Sequence, residues 1–261
     1  MPTIVAFFNQ KGGTAKTTST LNVGAALVER GRRVLALDLD PQASLTMALG
    51  VDVLGLEWSI YDLLSDPDIP LSRVIQPSTV PGMDLIPSHP DLAAAELELL
   101  NELERERRLQ NVLDDAALSA YDLIVIDSPP SLNILSINVL ISADTLVIPI
   151  EPHPLSLMVL RRLFETVDRI NRLNPRLSIA GFLPTKVHHS SRLASDMIDM
   201  LREQFPHIRL LPSIPLSVKS AESIVDHTSI LQYMPNSPLS HAYRSAAAAL
   251  EEQIAGKADH E

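Results

Sequence analysis

The chain has 261 residues, of which 46% are apolar, and its 32 acidic side chains outnumber its 21 basic ones, giving a net charge of −11. This composition is typical of a globular protein and excludes an intrinsically disordered chain. The chain has no cysteine, which excludes disulfides, thiolate zinc sites, cysteine nucleophiles and cysteine-ligated iron–sulfur clusters.

Short apolar runs alternate with longer segments of helical pattern along the chain. The predicted strands are Thr3–Phe8, Arg33–Asp38, Met83–Pro87, Asp122–Asp127, Thr145–Ile150, Ser178–Pro184 and Arg209–Pro212. The predicted helices lie near Lys16–Arg30, Pro90–Leu118, Ser131–Ser142, Pro154–Leu173, Arg192–Gln204 and Pro238–Ala255. Several strands are continuously apolar, as in a parallel sheet that is covered on both faces. The sequence therefore predicts an α/β fold with a doubly wound, mostly parallel sheet flanked by helices.

No Pro/Gly-rich linker divides the chain, which favours a single domain over residues 1–255. Residues 50–82 are rich in Asp, Pro and Ser and predict an irregular surface excursion with one short helix around Ile60–Leu64. Residues 256–261 are polar, and we expect a disordered tail there. No apolar run approaches the roughly 18 residues of a membrane-spanning helix, and the N-terminus lacks a basic-then-apolar signal, so we expect a soluble, cytoplasmic protein.

A glycine-containing turn joins the first predicted strand to the first predicted helix. Such a turn points successive backbone N–H groups and the positive end of the helix dipole at one place, which suits the β- and γ-phosphates of a nucleotide. Lys16 would set an ammonium on those oxygens, and the Thr17 hydroxyl would ligate Mg²⁺. The predicted nucleotide-binding residues of this loop are Lys11, Gly12, Gly13, Thr14, Ala15, Lys16, Thr17 and Thr18.

This loop departs from the usual G-x-x-x-x-G-K-[ST] pattern, because Gln10 and Ala15 occupy its two glycine positions. With a second lysine at its entrance, it resembles the deviant Walker A motif of the ParA/MinD group of P-loop ATPases. The resemblance implies that Lys11 crosses a dimer interface to stabilise charge on the partner's nucleotide. Members usually carry Gly where Ala15 stands, and a negative φ there would keep the conformational cost of the replacement small. The added methyl group would lie near the γ-phosphate and the opposing subunit, so it bears on hydrolysis and dimer closure but not on nucleotide binding.

Two acidic residues lie at the end of the second predicted strand, in the run Leu37-Asp38-Leu39-Asp40-Pro41-Gln42. Acids at the carboxyl end of a strand beside a phosphate loop lie in the crevice where α/β sheets bind ligands. The run resembles the D-x-D-P-Q switch segment of ParA proteins. The resemblance implies that Asp40 orients or activates the attacking water, while Asp38 holds the loop and the Mg²⁺ hydration shell.

The apolar strand that ends in Asp127 has a Walker B pattern, and Pro129 and Pro130 stiffen the turn after it. Asp127 would hold Mg²⁺ through water and sense the γ-phosphate. ParA proteins show a similar D-x-P-P, which implies that Pro129 lies at the nucleotide. Lys11, Lys16 and Asp40 are then the predicted catalytic residues, and Thr17, Asp38, Asp40 and Asp127 the predicted Mg²⁺ set.

The resemblance extends to about residue 250 and implies two further features. The residues around Ile214 and Pro215, together with Thr185, would pack on or hydrogen-bond the adenine, and Ser217 replaces the usual Asn there. Residues 151–219 hold ten basic and six acidic side chains. Arg192 and Lys219 in this stretch match cations that contact DNA phosphates in chromosome-segregation ParA proteins, although ordinary surface basicity is the alternative reading.

These features predict a ParA-type ATPase that binds Mg-ATP, forms a homodimer, binds DNA nonspecifically and hydrolyses ATP slowly to drive chromosome or plasmid partition. The resemblance implies a ParB-like activator and nucleoid association in the ATP state. Relatives that position protein cargo share this chemistry, and a nucleotide sensor without hydrolysis is a third reading because of Ala15. A MinD-like role, with stable membrane association, is not expected because residues 243–261 are Ala-rich and acidic. His188 and His189 lack a nearby third ligand, so we expect no metal site there.

Overall fold

A computed structural model describes residues 1–188 and 190–258, within which seven strands form one sheet. The strands are β1 (Thr3–Phe7), β2 (Val34–Asp38), β3 (Gln76–Pro77), β4 (Met83–Ile86), β5 (Leu123–Asp127), β6 (Thr145–Ile150) and β7 (Ser178–Pro184). Their order across the sheet is β3-β4-β2-β5-β1-β6-β7. All neighbours pair in parallel except β3, which runs antiparallel to β4 at the edge. The predicted doubly wound, mostly parallel fold is therefore confirmed.

Helices connect the strands and cover both faces of the sheet. They are α1 (Lys16–Glu29), α2 (Ser44–Ala48), α3 (Ile60–Ser65), α4 (Leu71–Val74), α5 (Leu92–Glu98), α6 (Arg108–Leu113), α7 (Ile134–Ser142), α8 (Pro154–Ile170), α9 (Arg192–Gln204), α10 (Lys219–Val225), α11 (Ile230–Tyr233) and α12 (Pro238–Ala258). Short 3₁₀ turns add to these at 53–55, 99–101, 105–107 and 116–120. In the part of the chain that the structure describes, no helix is long and apolar enough to cross a bilayer.

The core consists of two apolar layers, one on each face of the sheet. Val5 and Phe7 of β1 lie in the layer that α1 and α12 cover. Ile4 and Ala6 lie in the opposite layer, which α7 and α8 cover. Because successive strand residues point to opposite faces, a strand buried on both sides must be apolar at every position, as the continuous runs in the sequence are.

Three central strands end level with one another at the carboxyl edge of the sheet. Phe7 of β1 is in register with Asp127 of β5, and Asp127 is in register with Asp38 of β2. The chain leaving β1 passes through α1 to β2, beyond β5, while β6 lies on the other side of β1. Connections that diverge in this way leave a crevice above the strand ends, where open α/β sheets bind their ligands.

Six of the seven predicted strands are present within one residue at either end. The prediction of a strand over Arg209–Pro212 is wrong: only Leu210 pairs there, with Phe182. Pro212 has no N–H to donate, so a ladder cannot continue through it. The two-residue edge strand β3, which ends in a proline, was not predicted; edges are where sheets accept proline.

The continuous helix predicted near Pro90–Leu118 is also wrong, since the structure has α5 and α6 with 3₁₀ turns between and after them. Glu104 has φ 54°, and Leu103 is 89% exposed, so this charged stretch has no apolar face to bury as a helix. The predicted helix around Ile60–Leu64 is confirmed as α3, in a region that also contains α4 and β3. The last helix runs to Ala258, so the first three residues of the predicted tail at 256–261 are helical, and the rest lie outside the described residues.

Candidate nucleotide site

The loop between β1 and α1 is held from two sides by hydrogen bonds. Buried Asn9 donates from Nδ2 to the Pro149 carbonyl at 2.8 Å and accepts from the Lys11 N–H at Oδ1 at 3.0 Å. On the other side, the Thr185 hydroxyl donates to the Thr14 carbonyl at 3.0 Å, and the Lys186 ammonium donates to the Gly13 carbonyl at 2.7 Å. The loop is therefore a fixed structure rather than a freely moving turn.

Ala15, the residue just before α1, adopts a left-handed conformation with φ 60° and ψ 36°. A Cβ in this region crowds the following carbonyl oxygen at a cost of roughly 1–2 kcal/mol, which a glycine avoids. The negative φ that would have made Ala15 a cheap replacement for Gly is therefore absent. Gly13, two residues earlier, has φ 74°, so left-handed residues flank Thr14 on both sides.

Lys16, Thr17 and Asp127 meet at the end of β5. Lys16 is only 7% exposed and Asp127 is fully buried. The Thr17 hydroxyl donates to Asp127 Oδ2 at 2.6 Å, whereas the buried Asp127 Oδ1 has no hydrogen-bond partner among the described residues. Burial lowers the pKa of Lys16, against the attraction of Asp127 and Asp40, and burial together with the Asp38 charge raises the pKa of Asp127 well above its usual value. A cation bound beside Oδ1 would lower the pKa of Asp127 again, because it favours the ionised carboxylate.

Asp38 fixes the switch loop after β2 rather than standing free in the crevice. Its Oδ2 accepts from both the N–H and the hydroxyl of Thr46 at 2.8 Å, and its Oδ1 accepts from the Asp40 N–H at 3.1 Å. The Ser88 hydroxyl, just beyond β4, donates to the Asp40 carbonyl at 2.7 Å. Burial raises the pKa of Asp38 to about 6. Asp40 itself is half-buried, and its Oδ1 accepts from the Gln42 N–H at 3.0 Å, while Oδ2 has no hydrogen bond within the described ranges.

The residues around Thr17 and Asp127 suit a magnesium ion that binds together with a nucleotide. They suit less well a magnesium ion that the protein alone would hold. In residues 1–188 and 190–258, no group of three or more His, Cys, Asp or Glu side chains could hold a metal ion. Mg²⁺ keeps several waters and is commonly bound by one or two protein oxygens plus substrate phosphates. The Thr17 hydroxyl and the unpartnered Asp127 oxygen suit that mode. His188 is exposed, and His189 lies outside the described residues.

A cavity of about 200 Å³ adjoins the phosphate loop. All four predicted adenine contacts line it, although the Thr185 hydroxyl is already bonded to the loop. Six residues that the sequence predicts at the nucleotide line this cavity, namely Ala15, Thr18, Thr185, Ile214, Pro215 and Ser217. Pro129, predicted at the nucleotide, is buried two residues after Asp127. Sequence reasoning missed Lys186 and Tyr243, which also line the cavity; only the position of Lys186 next to Thr185 could have signalled it.

The two predicted DNA contacts lie on neighbouring segments. Arg192 is the exposed first residue of α9, and Lys219 is the exposed first residue of α10. The chain segments that precede them are joined by the bridge of Val187 with Pro215. Lys219 is ion-paired with Glu222 at 2.7 Å, so part of its charge is already compensated.

The chain resembles known proteins along almost its whole length. A family model described as an AAA domain matches residues 2–179. The sporulation initiation inhibitor protein Soj of Bacillus subtilis is 37% identical over 248 residues, covering 95% of this chain and 97% of that protein. The chromosome partitioning protein ParA of Myxococcus xanthus is 34% identical over 220 residues, covering 84% and 77%. This chain belongs to the ParA/Soj-type family of P-loop ATPases.

A solved structure of a ParA/Soj-like fold carries nucleotide. The crystal structure of cobyrinic acid a,c-diamide synthase from Mycobacterium smegmatis with bound ADP and magnesium has a TM-score of 0.85, is 33% identical, and covers 98% of this chain and 97% of that one. The stretch 2–179 that matches the family model includes the phosphate loop, Asp40 and Asp127. The predicted ParA-type family and fold are therefore confirmed.

Proposed function

We propose that this chain is a Mg-ATP-dependent ParA-type switch, which dimerises around ATP, binds DNA without reading its sequence, and is released by slow hydrolysis to drive chromosome or plasmid partition. The observation that carries the proposal is the cluster of Lys16, Thr17 and Asp127 at the phosphate loop. In this cluster Thr17 donates to one Asp127 oxygen, and the other, which is buried, has no hydrogen-bond partner among the described residues. That is the donor set of a phosphate and cation site. The proposed role in partition is supported by the names of two relatives, a sporulation initiation inhibitor protein Soj and a chromosome partitioning protein ParA.

Each step of hydrolysis is assigned to a side chain. The loop N–H groups and Lys16 hold the β- and γ-phosphates, and Thr17 and Asp127 would hold the cation, Asp127 through water. Magnesium, when bound, neutralises charge on the phosphate oxygens. Asp40 orients the attacking water through Oδ2, since its Oδ1 is engaged by the Gln42 N–H. Phosphoryl transfer depends mainly on such positioning and charge neutralisation, and without further activation it is slow.

Dimerisation is proposed because the loop contains a cation that its own chain does not use. The ammonium of half-buried Lys11 has no hydrogen-bond or ion-pair partner among the described residues. In the dimer it would meet the γ-phosphate of the second copy and so make each site incomplete without the other. A charge supplied in trans stabilises the transition state as an arginine finger does.

The proposed DNA binding depends on two exposed cations, Arg192 and Lys219. Arg192 is exposed, and among the described residues its guanidinium has no ion-pair partner, whereas Lys219 has to exchange Glu222 for a phosphate. A single molecule of net charge −11 presents few cations, so affinity would depend on pairing two such surfaces in the ATP dimer. A ParB-like partner is the expected activator of hydrolysis.

The experiment is an electrophoretic mobility assay with arbitrary duplex DNA at low salt, with ATP, with ADP and without nucleotide. We expect retardation only with Mg-ATP, loss of it at high salt, and weakening in Arg192→Ala. Arg202→Ala is the matched control, because this exposed cation pairs with Asp199 in its own helix. No retardation with ATP, or equal loss in both variants, would contradict the DNA role and favour a protein cargo as the target.

A further inference from the structure

Two adjacent side chains at the end of β7 hold two adjacent carbonyls of the phosphate loop. Thr185 donates to the Thr14 carbonyl at 3.0 Å, and Lys186 donates to the Gly13 carbonyl at 2.7 Å. Lys186 itself has φ 54°, a left-handed conformation that is unusual for a residue with a long side chain. The chain thus adopts an uncommon backbone geometry at the point where it reaches the loop.

These bonds determine where the loop's N–H groups point. In a trans peptide the carbonyl and the next N–H point in opposite directions. Turning the Gly13 and Thr14 carbonyls toward β7 therefore turns the N–H groups of Thr14 and Ala15 to the opposite side, away from β7. A row of such N–H groups is what binds an anion at this kind of loop.

The same loop contains the left-handed Ala15, directly after the second of the two held carbonyls. A residue other than glycine persists in this conformation only when its surroundings over-determine it. The bond from Thr185 fixes the peptide that enters Ala15, and the bond from Lys186 fixes the peptide before that. No other side chain among the described residues hydrogen-bonds to these two carbonyls.

We propose that Thr185 and Lys186 form a brace that keeps the phosphate loop in its anion-binding shape against the strain at Ala15. Lys186 is then a positioning residue for the nucleotide and acts through the loop. With glycine at position 15, the loop would keep this shape without help. The inference rests on the proposed function for the identity of the ligand, but the brace itself is a property of the nucleotide-free protein.

The test is a double-mutant cycle on Mg-ADP affinity, measured by calorimetry, because ADP binding involves neither hydrolysis nor the γ-phosphate. We expect Lys186→Met to weaken binding about fivefold in the natural chain, the order expected for one lost hydrogen bond in a partly exposed place. In the Ala15→Gly background the same substitution should cost less than about twofold, and Lys186→Arg, which can still donate to Gly13, should retain most of the affinity. Arg202→Met controls for removing a surface cation.

An equal loss in both backgrounds would mean that Lys186 contacts the nucleotide directly, and would overturn the brace. A second measurement, hydrogen exchange without nucleotide, separates this outcome from a failure of the proposed function. The Ser19 N–H donates to the Ala15 carbonyl at 2.9 Å in the first turn of α1. Lys186→Met should speed exchange at Ser19, and adding Ala15→Gly should slow it again. Unchanged exchange would reject the brace even if ADP binds, and the expected pattern would support it even if ADP does not.

Discussion

Asp40 differs from the two other acidic residues of the crevice in how its carboxylate is used. Asp38 is fully buried with three hydrogen bonds, and Asp127 is fully buried against Thr17. Asp40 is half-buried and keeps one oxygen without a hydrogen bond in the described part of the chain. Asp127 also has an oxygen without a partner there, but that oxygen is fully buried, whereas the open oxygen of half-buried Asp40 is more accessible to a water that donates a hydrogen bond to it.

Replacing Asp40 by Ala should therefore separate binding from chemistry. We expect kcat to fall at least about 100-fold, the usual loss when a group that positions or activates water is removed. The Kd for Mg-ATP should change less than about threefold, because the phosphate loop is untouched. Steady-state phosphate release and nucleotide titration measure the two quantities. Turnover at the parent rate would show that another group orients the water.

The two buried carboxyls predict how stability depends on pH. Burial raises the pKa of Asp38 to about 6 and that of Asp127 above its usual value. An acid with a higher pKa in the folded state binds protons more tightly there, so its contribution to stability is present at low pH and is lost as the pH rises from about 4 through 6.

We therefore expect the Tm of the nucleotide-free protein to fall between about pH 4 and 6. Saturating Mg-ADP should reduce this fall, because a cation at Asp127 favours the ionised form. Thermal melts across this range provide the measurement, and Asp38→Asn should flatten the slope. A Tm that rises through this range in the parent and is unaffected by Asp38→Asn would contradict the assignment.

At the scale of elements, a buried polar network joins β2, α2 and the end of β4 around the switch loop. Thr46 donates twice to Asp38, and its hydroxyl accepts from the Ser88 N–H at 2.9 Å. Ser88 in turn holds the Asp40 carbonyl. Asp40 is thus positioned by residues that no motif contains.

Thr46→Val should lower the free energy of unfolding by about 1–3 kcal/mol, since the methyl group leaves the buried Ser88 N–H without its acceptor and Asp38 without one donor. It should also lower kcat more than it changes the Kd for nucleotide, because the loop that carries Asp40 loses a support. Urea titration and phosphate release provide the two readings. Thr166→Val, in which an exposed hydroxyl bonded within its own helix is lost, should leave both nearly unchanged.

The sequence predicted the elements whose residues are buried on both faces, because there hydrophobicity alone specifies the structure. The strand ending in Asp127 is an example. The loop ending in Lys16 was predicted instead from its glycines and lysines. The sequence did not predict the breaks near Glu104 or the absence of a strand at Leu210. A charged stretch without an apolar face interrupts the helix, and Pro212, which has no N–H, ends the pairing. Ala15 was recognised as unusual from the sequence, but its left-handed φ was not predictable. Lys186 could be linked to Gly13 only in three dimensions, because the two residues are far apart along the chain.

At the scale of the whole molecule, the Lys11 ammonium, which has no partner in the described part of the chain, predicts a dimer. Size-exclusion chromatography with light scattering should show a monomer without nucleotide and a dimer with Mg-ATP in the Asp40→Ala background, where ATP persists. Lys11→Ala in the same background should remain monomeric while still binding ATP within a few-fold, because Lys16 holds the phosphates of its own chain. Full dimerisation of the Lys11→Ala variant would show that the sites close without it.

The level ends of β1, β5 and β2 also set which changes in length this protein can accept. A single-residue insertion or deletion inside β2 or β5 would reverse the facing of every residue beyond it and carry Asp38 or Asp127 out of register with Phe7. The exposed stretches at 66–68 and 102–105 bear no such constraint. Length variation among descendants of this gene should therefore accumulate in those outer stretches, while the spacing from each strand to its terminal acid stays constant.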